Sequence, residues 1–201
     1  MFERSLDAEV AILRLCHGKA SALDLELCEA LERAVADEER SSARAVVLTG
    51  TGGIFSAGVD LTRLVAGGPG YVARFLPALD ALLLRLLRFE KPLVGALNGH
   101  AIAGGALLAG ACDVRLLARG NATLGVPELK VGVPFPLLAV ELAREMFPST
   151  RLNEALYSGR LYRAEECAAL GLVDELVEPE ALSARALERA RELGSIPPAS
   201  P

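Results

Sequence analysis

Lys91-Pro92-Leu93-Val94-Gly95-Ala96-Leu97-Asn98-Gly99-His100-Ala101-Ile102-Ala103-Gly104-Gly105 is the stretch on which the fold is decided. From Pro92 to Cys112 the chain runs 21 residues without Asp, Glu, Lys or Arg. That is close to the ~20 apolar residues needed to cross a bilayer. A lipid-exposed helix would not carry Pro92, Gly95 and a turn-like Asn98-Gly99-His100 in its middle, followed by Gly104, Gly105 and Gly110. The spacing instead predicts a buried strand, Leu93–Leu97, a turn at Asn98-Gly99-His100, and a small-residue helix opened by Gly104-Gly105 that reaches about Cys112. A membrane span is rejected.

The same strand–turn–helix theme recurs on either side. Val10-Ala11-Ile12-Leu13-Arg14-Leu15 predicts a half-buried strand ended by His17-Gly18. Asp24 caps a helix through Leu27, Leu31 and Val35. Ala45-Val46-Val47-Leu48-Thr49 is a β-branched run bounded by Gly50, Gly52 and Gly53. Asp60 and Thr62 suit the start of a short helix, then a loose loop over 67–70, then a long helix with Phe75, Leu79, Leu82, Leu83, Leu86 and Leu87 on one broad face. Downstream, Val114-Arg115-Leu116-Leu117 is a strand, 124–133 a loop or strand, and 137–146 a helix introduced by Pro134 and Pro136. The rest is expected to be helical apart from 172–177. The fold class is α/β.

The 201 residues suit one domain, and an apolar share of 52% supplies a core without metals or disulfides. With 21 Lys+Arg against 26 Asp+Glu the net charge is −5, which argues against a generally basic nucleic-acid binder. Aromatics at 4% with no Trp disfavour base-stacking platforms. Cys16, Cys28, Cys112 and Cys167 form no CxxC pair and read as small buried hydrophobes in a reducing compartment. Glu3, Asp7 and Glu9 come where a secretory signal would be basic and then apolar, so a cytoplasmic location is expected.

Common catalytic signatures are missing from the sequence. Ser56 lies in Phe55-Ser56-Ala57-Gly58, not in a Gly-x-Ser-x-Gly elbow. Only His17 and His100 are available for a triad, and both read as turn residues. No His/Asp/Glu set has metal-ligand spacing, and Gly18-Lys19 is followed by Ala20, so there is no P-loop. Gly50-Thr51-Gly52-Gly53-Ile54-Phe55 is half of a dinucleotide fingerprint, with Phe55 where the third glycine belongs. Two turns remain, Phe55-Ser56-Ala57-Gly58-Val59-Asp60-Leu61 and Asn98 through Gly105, each leading into a helix. Such small-residue turns serve either close packing or the presentation of free N–H groups to a negative oxygen.

Those two turns, taken with Gly18-Lys19-Ala20-Ser21-Ala22-Leu23-Asp24, Ala111-Cys112-Asp113-Val114-Arg115, Gly125-Val126-Pro127-Glu128 and the Ala-Leu-Gly-Leu-Val-Asp-Glu run near Val177, resemble the crotonase superfamily (enoyl-CoA hydratase/isomerase) from Val10 to Val177. The resemblance implies a spiral of ββα units over residues 1–180, with 181–201 the start of a C-terminal helical region. It implies acyl-CoA thioester as the bound partner, coenzyme A being part of the substrate and no separate cofactor or metal being needed. The N–H groups of Val59 and Gly104 would hold the thioester oxygen. Backbone around Ala20, Ala22, Ala57, Asp60 and Leu61 would line the coenzyme A path. Lys19 and Arg63 would lie within reach of its phosphates or else be ordinary solvated cations. Homotrimers or hexamers are the family's usual assemblies.

Family hydratases use two glutamates on one water. The first lies six residues before the Cys-Asp aspartate, and here that position is Leu107, which can neither accept a proton nor orient water. The second is present as Glu128, among Leu124, Val126, Leu129, Val131, Val133 and Phe135, surroundings that raise a carboxyl pKa. One glutamate with an apolar first position is similar to the pattern of Δ3,Δ2-enoyl-CoA isomerases, and Gly104-Gly105-Ala106-Leu107-Leu108 looks like theirs. The resemblance therefore implies a double-bond isomerase. The alternatives are an enoyl-CoA hydratase with a second carboxylate from elsewhere, or a degenerate acyl-CoA-binding subunit without turnover. Relatives continue past the helix expected over 181–193, whereas this sequence ends at Ile196-Pro197-Pro198-Ala199-Ser200-Pro201. A short or truncated helical end and a more open pocket are expected.

Overall fold

The computed structural model describes residues 1–197; the last four residues of the tail quoted above lie outside the described residues. Its frame is a six-stranded sheet in the order β1-β2-β3-β5-β7-β10. The strands are Phe2–Asp7 (β1), Val10–Leu15 (β2), Ala45–Thr49 (β3), Leu93–Leu97 (β5), Val114–Ala118 (β7) and Glu175–Val177 (β10). β1 runs antiparallel to β2, and every other pairing is parallel. The inner strands are buried on both faces, which is why they read as unbroken apolar runs. Alternate residues separate cleanly. Val46, Leu48, Leu93 and Leu97 join the larger core with helices α1 (Leu25–Arg40), α2 (Leu61–Leu87) and α3 (Gly104–Gly110). Ala45, Val47, Val94 and Ala96 face Leu182, Ala186 and Ala190 of α7 (Leu182–Gly194).

A second sheet, order β4-β6-β8-β9, is built from very short strands: Ile54–Ser56 (β4), His100–Ile102 (β6), Thr123–Gly125 (β8) and Tyr162–Arg163 (β9). Three strands of the first sheet are each followed by a short strand of the second and then by a helical segment: β3-β4-α2, β5-β6-α3, and β7-β8 followed by a 3-10 turn, Glu128–Val131, and α4 (Leu137–Met146). The β2-to-α1 connection is a reduced version of the same unit, because Leu23 makes an isolated parallel bridge to Val59. This repetition is the ββα spiral.

Asn98 latches two of the units together. Its side-chain oxygen accepts from the Gly50 N–H (2.8 Å) and its amide donates to the Gly52 carbonyl (2.8 Å). The half-fingerprint glycines are thus a turn docked on the neighbouring turn. A methyl on Gly99 would lie 1.8 Å from the Gly53 carbonyl oxygen, so only glycine fits.

Several expectations are corrected. The break expected over 67–70 is present but narrower: α2 is two helical segments that meet at a kink on Gly68 (φ 62°, ψ −165°), with Pro69 tolerated at the start of the second. His100 opens β6, with Nδ1 2.9 Å from the Thr123 hydroxyl, and is no turn residue. The stretch beyond 146 is less helical than expected: between α5 (Leu152–Ser158) and α6 (Ala164–Ala169) the two-residue β9 pairs antiparallel to β8, too short for periodicity to reveal.

Candidate active site

The three positions singled out for chemistry leave the second sheet at one edge. β4, β6 and β8 are parallel neighbours, with Ser56 opposite Ala101 and Ile102 opposite Gly125. Val59 lies three residues past the end of β4, Gly104 two past the end of β6, and Glu128 three past the end of β8. All three therefore sit beyond the carboxyl ends of adjacent parallel strands, where α/β folds commonly bind ligands.

Val59 is held by its neighbours rather than by its own amide. The Leu23 N–H donates to the Gly58 carbonyl (2.7 Å) and the Asp60 N–H to the Leu23 carbonyl (2.9 Å). In such a parallel bridge the intervening N–H points away from the partner strand. Among the described residues the Val59 N–H has no acceptor. The Gly104 N–H is likewise unspent, being the first of α3, whose leading amides have no partner within the helix. The two segments touch: a methyl on Gly58 (φ +80°) would lie 2.7 Å from the Gly104 nitrogen. Gly105 approaches even closer, its notional methyl falling 2.2 Å from the Ser56 carbonyl oxygen. Glycine at 58 and 105 is what lets the two free amides share one small space.

Ala103 completes this corner. It is a non-glycine residue at φ 54°, ψ −128°, a conformation that L residues rarely adopt. Its N–H donates to the Gly125 carbonyl (2.8 Å), and its carbonyl accepts from Ala106 (2.8 Å) and Leu107 (3.1 Å). Its ψ sets the peptide plane carrying the Gly104 N–H, so strain is stored at the residue that aims that donor. As an alanine it gave no signal in the sequence.

Glu128 opens the 3-10 turn after Pro127 and is only 8% exposed. Its Oε2 is buried with no hydrogen-bond partner among the described residues. Burial pushes its pKa up to about 7, opposed only weakly by its own backbone N–H. The turn is packed from behind: methyls on Gly159 (φ +52°) and Gly125 would meet the Pro127 Cα at 3.0 Å and the Arg160 carbonyl at 2.4 Å. Leu107, in the first turn of α3, is 3% exposed and belongs to the apolar core.

The remaining candidates form the rim. The Ala20 carbonyl accepts from the Ala57 N–H (3.0 Å), Ala22 and Ala57 are half-buried, and Asp60 caps α2 through the Arg63 N–H (3.0 Å). Leu61 is 39% exposed, and Lys19 is exposed. Arg63 is not a free cation. Its guanidinium is bound to Asp24 and Glu26, and it lies over the Tyr71 ring at 5.7 Å. Of the two cations considered for phosphate, Lys19 alone lacks an ion-pair partner among the described residues. The described residues hold no cluster of three or more His, Cys, Asp or Glu suited to a metal ion, and no helix long and apolar enough to cross a membrane.

A ββα spiral with the buried, unpartnered Glu128 carboxyl and two unspent amides past the ends of its short sheet has the architecture of the crotonase class. A sequence model described as enoyl-CoA hydratase/isomerase matches residues 6–200, and the chain belongs to that family. It is 40% identical over 172 residues to a putative enoyl-CoA hydratase of Thermus thermophilus, covering 84% of this chain and 64% of that protein. It is 31% identical over 200 residues to human mitochondrial enoyl-CoA delta isomerase 1, covering 98% of this chain and 66% of that one. The crystal structure of human mitochondrial delta3-delta2-enoyl-CoA isomerase superposes with a TM-score of 0.94 at 31% identity, over 98% of this chain and 78% of that one. The chain thus spans about two thirds of the length of the curated relatives it matches.

Proposed function

We propose that this protein moves a double bond in enoyl-CoA thioesters, with Glu128 as the single acid/base and the Val59 and Gly104 N–H groups holding the thioester oxygen. Leu107 carries this reading: the position that would supply a second carboxylate is a buried leucine. Two amide donors on the thioester oxygen stabilise the dienolate formed when a proton leaves the α-carbon. Glu128 takes that proton and returns it to the γ-carbon, so the double bond shifts with no water consumed. A pKa of about 7 suits both halves of this transfer near neutral pH. Coenzyme A would run along the backbone of Ala20, Ala22 and Ala57 past Asp60 and Leu61, with Lys19 at the phosphates. Assembly into homotrimers or hexamers belongs to the same proposal; the exposed apolar side chains Val131, Leu137 and Tyr157 support it, and sedimentation tests it.

A screen of 2-enoyl- and 3-enoyl-CoA esters with product analysis tests the reading. Conversion of 3-enoyl to 2-enoyl thioester is expected, with deuterium placed at the α-carbon of the substrate reappearing at the γ-carbon of the product. The name of the Thermus relative favours a second reading, addition of water. Crotonyl-CoA in 18O-water separates the two, because label in the product overturns the isomerase. Thioester binding without turnover in the wild-type protein would leave only the binding subunit.

A further inference from the structure

The Val59 segment joins residues 20–23 through the Leu23 bridge, the Ala57 N–H on the Ala20 carbonyl (3.0 Å) and the Ser56 hydroxyl on the Ser21 carbonyl (2.7 Å), and its donor must be aimed to within a fraction of an ångström. The bridge partner Leu23 is followed by Asp24, whose carboxylate is almost wholly buried, 2% exposed. Its Oδ1 accepts from the Leu27 N–H (2.8 Å), capping α1. Its Oδ2 takes the His17 Nε2 (2.7 Å) and the Arg63 Nη1. Arg63 stands four residues beyond Val59 in the first turn of α2, which Asp60 caps. The far side of this knot is closed by Tyr71, whose hydroxyl accepts from the Leu25 N–H (3.0 Å).

We propose that Asp24 is a positioning residue for the thioester-oxygen site, its carboxylate clamping the start of α2, through Arg63, against the Leu23–Val59 bridge. The inference rests on the proposed role of the Val59 N–H. Both sides of the bridge end within one or a few residues of this ion pair, so the pair bears on the spacing of the two bonds that flank Val59. Burial would raise the Asp24 pKa, but the Leu27 N–H, His17 and Arg63 outweigh it and hold the carboxyl below the ordinary aspartate range. The anion is thus present throughout the neutral range. An exposed capping aspartate would need neither the arginine nor the histidine, and Asn caps about as well as Asp. The burial and the extra partners mark a second duty.

The experiment uses Asp24→Asn, which keeps a capping oxygen and loses the charge, and Arg63→Met, whose side chain is partly exposed and whose loss leaves the core intact. Two readouts are taken on folded protein: kcat and KM with a 3-enoyl-CoA, and the carbonyl stretching band of bound butyryl-CoA, which cannot isomerise. Wild type is expected to move that band to lower frequency. Both variants are expected to lose part of the displacement and about ten- to a hundred-fold in kcat, with KM within about twofold. The double variant is expected to lose no more than either single one, since both break one clamp. Asp37→Asn, an equal charge loss in the exposed last turns of α1, is expected to change neither readout. Variants with wild-type kcat and band position overturn the clamp while leaving the oxygen site standing. A wild-type band unmoved by binding overturns the oxygen site and the clamp with it.

Discussion

The two sheets of this molecule carry opposite duties. The six-stranded sheet has five-residue inner strands, β3 and β5, with every residue buried, and cores on both faces. The four-stranded sheet has strands of two or three residues, and its hydrogen bonds alone could not hold it. It is held by Phe55, Ala101, Leu124 and Tyr162, all buried in the larger core, by glycine-to-backbone contacts and by the Asn98 latch. The first sheet carries cores on both of its faces. The candidate chemistry lives just past the ends of the second, where backbone is placed. Mutations should therefore separate, activity lost past the ends of the short sheet and stability in the core.

The largest expected effect is at Glu128. Glu128→Gln removes the only group proposed to move a proton, and turnover of 3-enoyl-CoA is expected to fall about 10³- to 10⁴-fold while butyryl-CoA binding survives. Isothermal titration alongside the rate assay checks both halves. Retained turnover would remove the short sheet's claim to the chemistry. The opposite test is Leu48→Ala in β3, fully buried in the larger core. A loss of about 2–5 kcal/mol in urea unfolding is expected, with kcat per folded molecule unchanged. A comparable fall in kcat would show that the two sheets are not separable.

Gly58→Ala sharpens the comparison within the short sheet. A methyl there meets the Ile102 carbonyl at 2.6 Å and the Gly104 nitrogen at 2.7 Å, on a backbone at φ +80°. Both proposed donors are pushed apart, so kcat is expected to fall about a hundred-fold. Gly18→Ala, at φ +57° with open space around it, is the matched control. It bears a similar backbone strain without the clash, and its smaller effect on kcat isolates the contact.

What the sequence made legible follows the same division. Long apolar runs such as Ala45–Thr49 and Leu93–Leu97 read correctly because two-sided burial leaves a continuous signal. The turns at Gly58 and Gly104 read as glycine-bearing turns before helices, but their role, like that of Glu128, rested on the resemblance to the crotonase superfamily, which the apolar neighbours of Glu128 fitted. Three features were hidden for physical reasons. Ala103 carries its strain in a conformation that its identity does not betray. β9 is too short to show a period of two. Arg63 looked like a cation for phosphate, and only the fold brings Asp24, 39 residues away, onto it.

The smallest expected effect tests whether Glu128 is strained by its own burial. Its carboxyl pKa is about 7 in the folded protein against an ordinary 4.5. Between these values the unfolded chain is ionised while the folded one still holds its proton, so the folded state binds more protons and stability falls as pH rises. Below about pH 4.5 both states are protonated and the cost is absent; above about pH 7 it is complete and constant. From pH 5 to pH 8 wild type is expected to lose roughly 2 kcal/mol relative to Glu128→Gln, which carries no titrating group there. Urea unfolding of both proteins at the two pH values measures the difference directly. The same titration appears in turnover, where kcat/KM is expected to rise through an apparent pKa near 7 as the base form is populated. Stability and activity thus move in opposite directions with pH at one residue. Parallel pH dependence of stability in wild type and Glu128→Gln would mean that water reaches Oε2 and that Glu128 works as a base with an ordinary carboxyl pKa.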